Sequence, residues 1–182
     1  VPITEEAPQN PENPYGESKL ILEKILYWHQ QQKEFEPVFL RYFNAAGASG
    51  DLGEDHSPES HIIPLVLQVA LGKRDVFSIF GCDYETPDGT CVRDYIHIED
   101  LGQAHVLAIQ PGVSGAFNLG NGNGFSVKEV GEASRRVTGH PIPSEMAPRR
   151  PVDPPYLIAD ASMSNEVMGW NTMFPDIESI VS

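Results

Sequence analysis

Cysteine is scarce in this chain, two among 182 residues, and two thiols cannot build the disulfide framework of a small secreted domain. Cys82 and Cys91 could pair across a ribbon, but two free thiols in a reducing compartment are the simpler expectation. No cysteine or histidine spacing matches a structural zinc site. Long apolar runs are also missing. The stretches 62–71 and 38–43 are too short or too interrupted to span a bilayer, and no apolar signal segment opens the chain. Positive charge is the third scarcity, with 12 Lys+Arg against 26 Asp+Glu and a formal net charge of −14. The basic residues come as short pairs, Lys73-Arg74, Arg135-Arg136 and Arg149-Arg150, which do not make a phosphate-backbone surface, so nucleic acid is excluded as a partner. These absences leave a soluble, cytoplasmic protein as the expectation, without a membrane. A chain of this length buries roughly two-thirds of its unfolded surface and needs neither disulfide nor structural metal to fold.

Proline and glycine, 16 of each, punctuate the rest. An acidic, proline-rich approach leads to Asn13-Pro14, where Asn caps a helix and Pro occupies its first position. Leu20, Ile21, Lys24, Ile25 and Trp28 recur at helical spacing until a Gln-rich run and Pro37 end the helix. Residues 38–43 read as a buried strand, apolar on both faces, which favours a parallel sheet. A long loop is predicted over 45–59, a helix over 60–73, a strand over 76–80, a turn-rich loop over 81–90, a strand over 92–98 and a helix over 99–109. A strand over 116–119 follows, then the glycine loop 120–124, then a helix opened by the capping box Ser126/Glu129 and stopped at Gly139. The remainder, 141–182, reads as proline-rich and irregular, with short helices after Ser162 and Asp176. Alternating helices and strands without internal repeat indicate an α/β or α+β chain.

Tyr15 and Lys19, four apart in the first turns of the predicted helix, project phenol and ammonium from one face. Tyrosine phenols ordinarily ionise near pH 10, and about 4 kcal/mol of preferential phenolate stabilisation lowers such a value by roughly 3 units. A lysine ammonium in a partly desolvated site supplies much of that. Alone, a Tyr-x-x-x-Lys spacing also describes a solvated helix pair; its neighbours add weight. They are the run Pro14-Tyr-Gly-x-Ser-Lys19, Leu40-Arg-Tyr-Phe-Asn44, a glycine-rich loop with Gly53-Glu54-Asp55, Phe80-Gly-x-Asp-Tyr84, Asp88-Gly-Thr90, Val92-Arg-Asp-Tyr-Ile-His97 and Ala147-Pro-Arg-Arg150. In this order they resemble the UDP-glucose 4-epimerase branch of the extended short-chain dehydrogenase/reductase superfamily, over nearly the whole chain.

The resemblance implies the C-terminal part of such an enzyme: part of a Rossmann-type parallel sheet plus a smaller mixed α/β substrate domain. The chain opens at Val1 without an initiator Met, and neither a glycine-rich dinucleotide turn nor an upstream catalytic Ser or Thr precedes Tyr15. Residues 1–44 would be the remnant of the NAD-binding domain. Residues 45–182 would be mainly the UDP-sugar domain, with segments returning to the sheet. By the same resemblance Tyr15 is the catalytic base and Lys19 holds the nicotinamide ribose of NAD, with Tyr42 and Phe43 also beside the cofactor. Asn44, His61, Ile62, Phe80, Arg93, Tyr95, Arg150 and Asp153 would bind UDP-glucose or UDP-galactose. Among them Phe80 lies beside the uracil, Arg93 and Arg150 clasp the diphosphate as planar, permanently charged forks, and Asp153 accepts from a ribose hydroxyl. The full-length protein would be a homodimer through helices that include the Tyr15 one.

Two departures from the family pattern stand out. His61-Ile62-Ile63-Pro64 replaces an Asn-Leu pair, so His61 either donates to phosphate or is structural, and Phe43 likewise either faces the cofactor or packs in the core. Asp153-Pro-Pro-Tyr156 shifts a tyrosine by one position, leaving the role of Tyr156 open. Gly120-x-Gly122-x-Gly124 is not a dinucleotide turn, because Gly-x-Gly-x-x-Gly would need glycine at Phe125; a tight strand-to-helix approach is the favoured reading. Asp55, His56, Glu59 and His61 have no common metal-site spacing and read as a solvated acidic loop, so no metal is assigned. Competing functions are a nucleotide-sugar dehydratase or decarboxylase reusing Tyr15 and Lys19, or, for the isolated chain, a nonenzymatic UDP-sugar-binding module.

Overall fold

The computed structural model describes residues 2–151 and 153–182. Helix α1 (Pro14–Gln31) begins as its sequence dictates, Asn13 accepting a hydrogen bond at 2.8 Å from the Gly16 amide ahead of Pro14. None of its residues is buried, and Ile21, Leu22, Ile25, Tyr27 and Trp28 stand about half exposed. A polar clamp ties it to strand β1 (Val38–Tyr42): the Arg41 guanidinium grips Glu23 through Nε at 2.9 Å and a terminal nitrogen at 2.5 Å.

Strand β1 pairs in parallel with β5 (Gly115–Leu119), Val38 opposite Gly115 through Tyr42 opposite Leu119. The apolar run thus meets the parallel partner it predicts, although its residues are half-buried or exposed. Helix α3 (Ile98–Ala108) packs Leu101, Ala104 and Ala108 against Phe117 and Leu119 of β5, with Met168 and Trp170 closing the cluster. Fully buried Asp100 is accommodated because its carboxylate accepts from the Met173 and Phe174 amides.

The central strand β4 (Val92–His97) takes three partners. β2 (Asn44–Ala46) runs parallel to it with Asn44 opposite Tyr95, β6 (Gly124–Ser126) runs antiparallel, and β8 (Tyr156–Leu157) runs parallel with Tyr156 opposite Val92. Helices α2 (Ile62–Ala70), α4 (Val127–Thr138) and α6 (Ile177–Val181) cover this sheet through Ile63, Val130, Ala133 and Ile180 around the Tyr95 ring. The capping box is present at α4, as is the left-handed stop at Gly139 with φ +68°. A third small sheet pairs β3 (Phe77–Phe80) in parallel with β7 (Ser144–Ala147). Short helix α5 (Ser162–Met168) packs back on β5.

Four expectations need correction. The predicted loop 45–59 begins inside β2, the glycine loop ends in β6, and the stretch after 141 contributes β7 and β8. These strands have two to four residues each and exist through partners far along the chain, which local pattern does not register. Helix α2 starts at Ile62 rather than Ser60, because the Glu59 carboxylate accepts the Ser60 and His61 amides and holds that turn outside the helix. The glycine loop itself serves close approach. Asp94, with no exposed surface, accepts from the amides of Asn121, Gly122 and Ala159, and a Cβ on Gly120 would lie 2.5 Å from its Oδ2. Burial pushes the Asp94 pKa up, against the pull of those three donors. Both cysteines are free, Cys91 buried and Cys82 exposed. Among the described residues, no helix is long and apolar enough to cross a membrane.

Candidate active site

The helical spacing of Tyr15 and Lys19 delivers the juxtaposition it promises. Lys19 Nζ sits 5.0 Å from the centroid of the Tyr15 ring, on an exposed helix face where Tyr15 is 73% accessible. Both groups are open to any ligand laid against α1. At the C-terminal end of β1, where ligands of parallel α/β sheets bind, Tyr42 is exposed, 6.4 Å from the His105 ring. Phe43 is half-buried and donates its amide to Leu119. Asn44 turns its side-chain amide to the Asp94 carbonyl at 3.0 Å, clipping β2 to β4 and leaving its own oxygen available.

A second constellation assembles from four distant segments. Arg93 on β4 pairs with Asp153 and also donates to the Val92 carbonyl at 2.6 Å. Asp153 further accepts from the buried Tyr84 hydroxyl at 3.0 Å. Burial first, and then the Asp153 carboxylate, raise the Tyr84 pKa, so this phenol is a hydrogen-bond donor at neutral pH. Arg149 lies over the Tyr84 ring at 3.8 Å and Arg150 over the Phe80 ring at 4.2 Å. Gly81, φ +84°, makes the crossing possible: a Cβ there would fall 2.6 Å from the Tyr84 ring and 2.8 Å from Arg149 Cγ. The cleft in front, about 530 Å³, is lined by Glu12, Arg149, Arg150, Asp153 and Pro154, a size suited to a small-molecule ligand. Glu12, on the approach to α1, stands in its wall.

The structure therefore brings Phe80, Arg93, Arg150 and Asp153 together and keeps Tyr15 with Lys19. Tyr95 stands elsewhere, 4% exposed in the core cluster of Ile63 and Val130, where burial drives its pKa far up. His61 precedes α2 and is absent from the cleft wall; its Nδ1 lies 2.9 Å from Glu54 Oε1 and 3.0 Å from Glu59 Oε1. Ile62 packs between two core clusters. Tyr156 is 40% exposed on β8. Tyr84, Arg149 and Glu12 were not singled out by sequence. The Phe80-Gly-x-Asp-Tyr84 and Pro-Arg-Arg motifs contain the first two, and what they lacked was a sign that Tyr84 and Asp153, 69 positions apart, meet.

Known proteins resemble this arrangement throughout its length. The model of the NAD dependent epimerase/dehydratase family matches residues 1–120. The chain belongs to that family. A UDP-glucose 4-epimerase of Halalkalibacterium halodurans is 57% identical over 187 aligned positions, covering all of this chain and 56% of the relative. A crystal structure of UDP-glucose 4-epimerase superposes with a TM-score of 0.95 at 53% identity, over 99% of this chain and 56% of that one. The Bifidobacterium longum UDP-glucose 4-epimerase, solved in complex with NAD+ and UDP, gives a TM-score of 0.90 at 43% identity, over all of this chain and 56% of its own. The chain spans about half the length of the curated relatives it matches. Its mixed α/β fold with parallel sheets is that of these epimerases, as the sequence predicts.

Proposed function

We propose that this chain is the C-terminal part of a UDP-glucose 4-epimerase. Residues 1–44 would carry the Tyr15/Lys19 helix of the NAD-binding domain, and 45–182 would bind mainly the UDP-sugar. The observation that carries the reading is a cleft walled by Arg149, Arg150 and Asp153, with Arg93 paired to Asp153 and the Phe80 ring under Arg150 directly behind that wall: guanidinium forks, a carboxylate and a flat apolar face. Those features suit a diphosphate, a ribose and a uracil. The phenol-ammonium pair on α1 supplies the chemistry.

Tyr15 takes the proton of the sugar 4-hydroxyl and returns it to the inverted alcohol. Lys19, with three donors on a charged tip facing the Tyr15 ring, holds a cofactor ribose hydroxyl. The exposed Tyr15/Lys19 face and the end of β1 fit the nicotinamide ribose of NAD, while no residue of this chain forms a Gly-x-Gly-x-x-Gly turn for its pyrophosphate. When bound, NAD supplies a hydride acceptor at C4 and a hydride donor to the opposite face of the 4-keto sugar. Between the two transfers the arginines keep the nucleotide anchored while the hexose turns.

The test is conversion of UDP-galactose to UDP-glucose by the full-length protein without net change in nicotinamide absorbance. Release of a 4-keto-6-deoxy or decarboxylated sugar would favour a related dehydratase or decarboxylase instead. The isolated 182-residue chain is expected to bind UDP without turnover, and turnover by it would overturn the assignment of the cofactor pyrophosphate site to residues outside it. Light scattering of the full-length protein is expected to give a homodimer through helices that include α1.

A further inference from the structure

Residues 54–61 carry four metal-ligating side chains that the proposed reaction does not use as a group. In sequence, Asp55, His56, Glu59 and His61 fit no metal spacing; the fold substitutes Glu54 for Asp55 and closes the set. One ligand atom each from Glu54, His56, Glu59 and His61 lies within 4.8 Å of all the others. His61 Nδ1 is 2.9 Å from Glu54 Oε1 and 3.0 Å from Glu59 Oε1, and His56 Nδ1 is 3.8 Å from the same Glu59 oxygen. Four N and O ligands at about 2.0–2.2 Å around a tetrahedral zinc ion stand about 3.3–3.6 Å from one another, and separations of 2.9 Å up to at most 4.8 Å here reach that value by small side-chain shifts.

Glu59 Oε1 already accepts the Ser60 and His61 amides, yet protons alone leave one contact of the His61 Nδ1 unmade. An imidazole Nδ1 has a single hydrogen to donate, and two carboxylate oxygens from different residues converge on the Nδ1 of His61. With both imidazoles neutral, two glutamates share this small space with no lysine or arginine paired to either among the described residues. A dication offsets both charges and bridges all four groups. Two imidazoles with two carboxylates suit zinc or a neighbouring transition ion, whereas magnesium and calcium favour all-oxygen shells.

We propose that Glu54, His56, Glu59 and His61 form a divalent transition-metal site, zinc being the best-matched ion, on the loop leading into α2. The alternative is plain histidine-glutamate ion pairing, and the two differ in what added metal does.

Calorimetric titration of zinc chloride into the tag-free, chelator-treated full-length protein tests it. One equivalent per chain with micromolar affinity is expected, unaffected by excess magnesium. His56→Ala and Glu54→Gln, neither of which touches the proposed reaction, should each weaken binding about 10-fold or more with unchanged circular dichroism. Cobalt(II) should give the visible absorption of a tetrahedral nitrogen-oxygen site. Absence of saturable binding, affinity unchanged from the parent in both variants, or a thiolate-to-cobalt band placing the ion on exposed Cys82 would each overturn the proposal.

Discussion

Arg150 stacked on Phe80 and Arg93 paired with Asp153 are the residue-scale facts from which ligand binding must be argued. A guanidinium that forks onto a diphosphate makes charge-assisted hydrogen bonds worth about 1.5–3 kcal/mol each, so Arg150→Ala should weaken UDP binding by about 10- to 100-fold, read by calorimetry. Arg93→Lys keeps the charge and loses the fork, and a smaller but definite loss is expected. Tyr15→Phe is the complementary case. Removing the phenol oxygen should lower kcat by about 10²–10⁴-fold, the usual range for general acid-base catalysis, with UDP affinity nearly unchanged. A variant with full turnover would remove Tyr15 from the mechanism. The Tyr15–Lys19 pairing was legible in sequence because four residues on a helix is a local distance. The Tyr84–Asp153 bond was not, because nothing local links positions 69 apart. Tyr95 illustrates the same limit: a strand tyrosine reads alike whether it faces ligand or core, and only the packing of α2, α4 and α6 decides.

Among elements, α1, none of whose residues is buried, is tied to β1 by the Arg41–Glu23 clamp. Glu23 is held below the ordinary carboxylate range, chiefly by its hydrogen bond from Arg41, with burial opposing. Because the folded-state pKa is depressed, the stabilisation is fully present above the unfolded glutamate value, about 4.3, and is lost as pH falls through the lower folded one. Arg41→Ala should therefore cost about 1 kcal/mol at pH 7 and progressively less in acid, measured as melting temperature against pH, with faster amide exchange along α1. A second element-scale prediction concerns the turn after β3. Gly81→Ala meets both a left-handed backbone and two side chains within 2.8 Å, so it should destabilise the protein by about 1–2 kcal/mol and weaken UDP binding by displacing Tyr84 and Arg149. The caps of α1 and α4 and the parallel pairing of β1 were written in the sequence, whereas the start of α2 was set by the Glu59 turn. The strands β2, β6, β7 and β8 were not, being too short to show a period.

At the scale of the whole molecule, a chain of net charge −14 presents Arg149 and Arg150 at one cleft, with Arg93 tied to Asp153 of its wall, so UDP binding is expected to weaken with ionic strength, in contrast to the acidic surface at large. The cleft's cations are already occupied by the protein itself: Arg93 by Asp153, Arg149 by the Tyr84 ring, Arg150 by the Phe80 ring. The rings leave the in-plane N–H donors of Arg149 and Arg150 free, but an arriving nucleotide must compete with Asp153 for Arg93, so affinity is set by the difference between two sets of partners rather than the sum of one. It follows that Asp153→Asn, which retains an oxygen for a sugar hydroxyl while relaxing its grip on Arg93, should bind inorganic pyrophosphate more tightly than the parent.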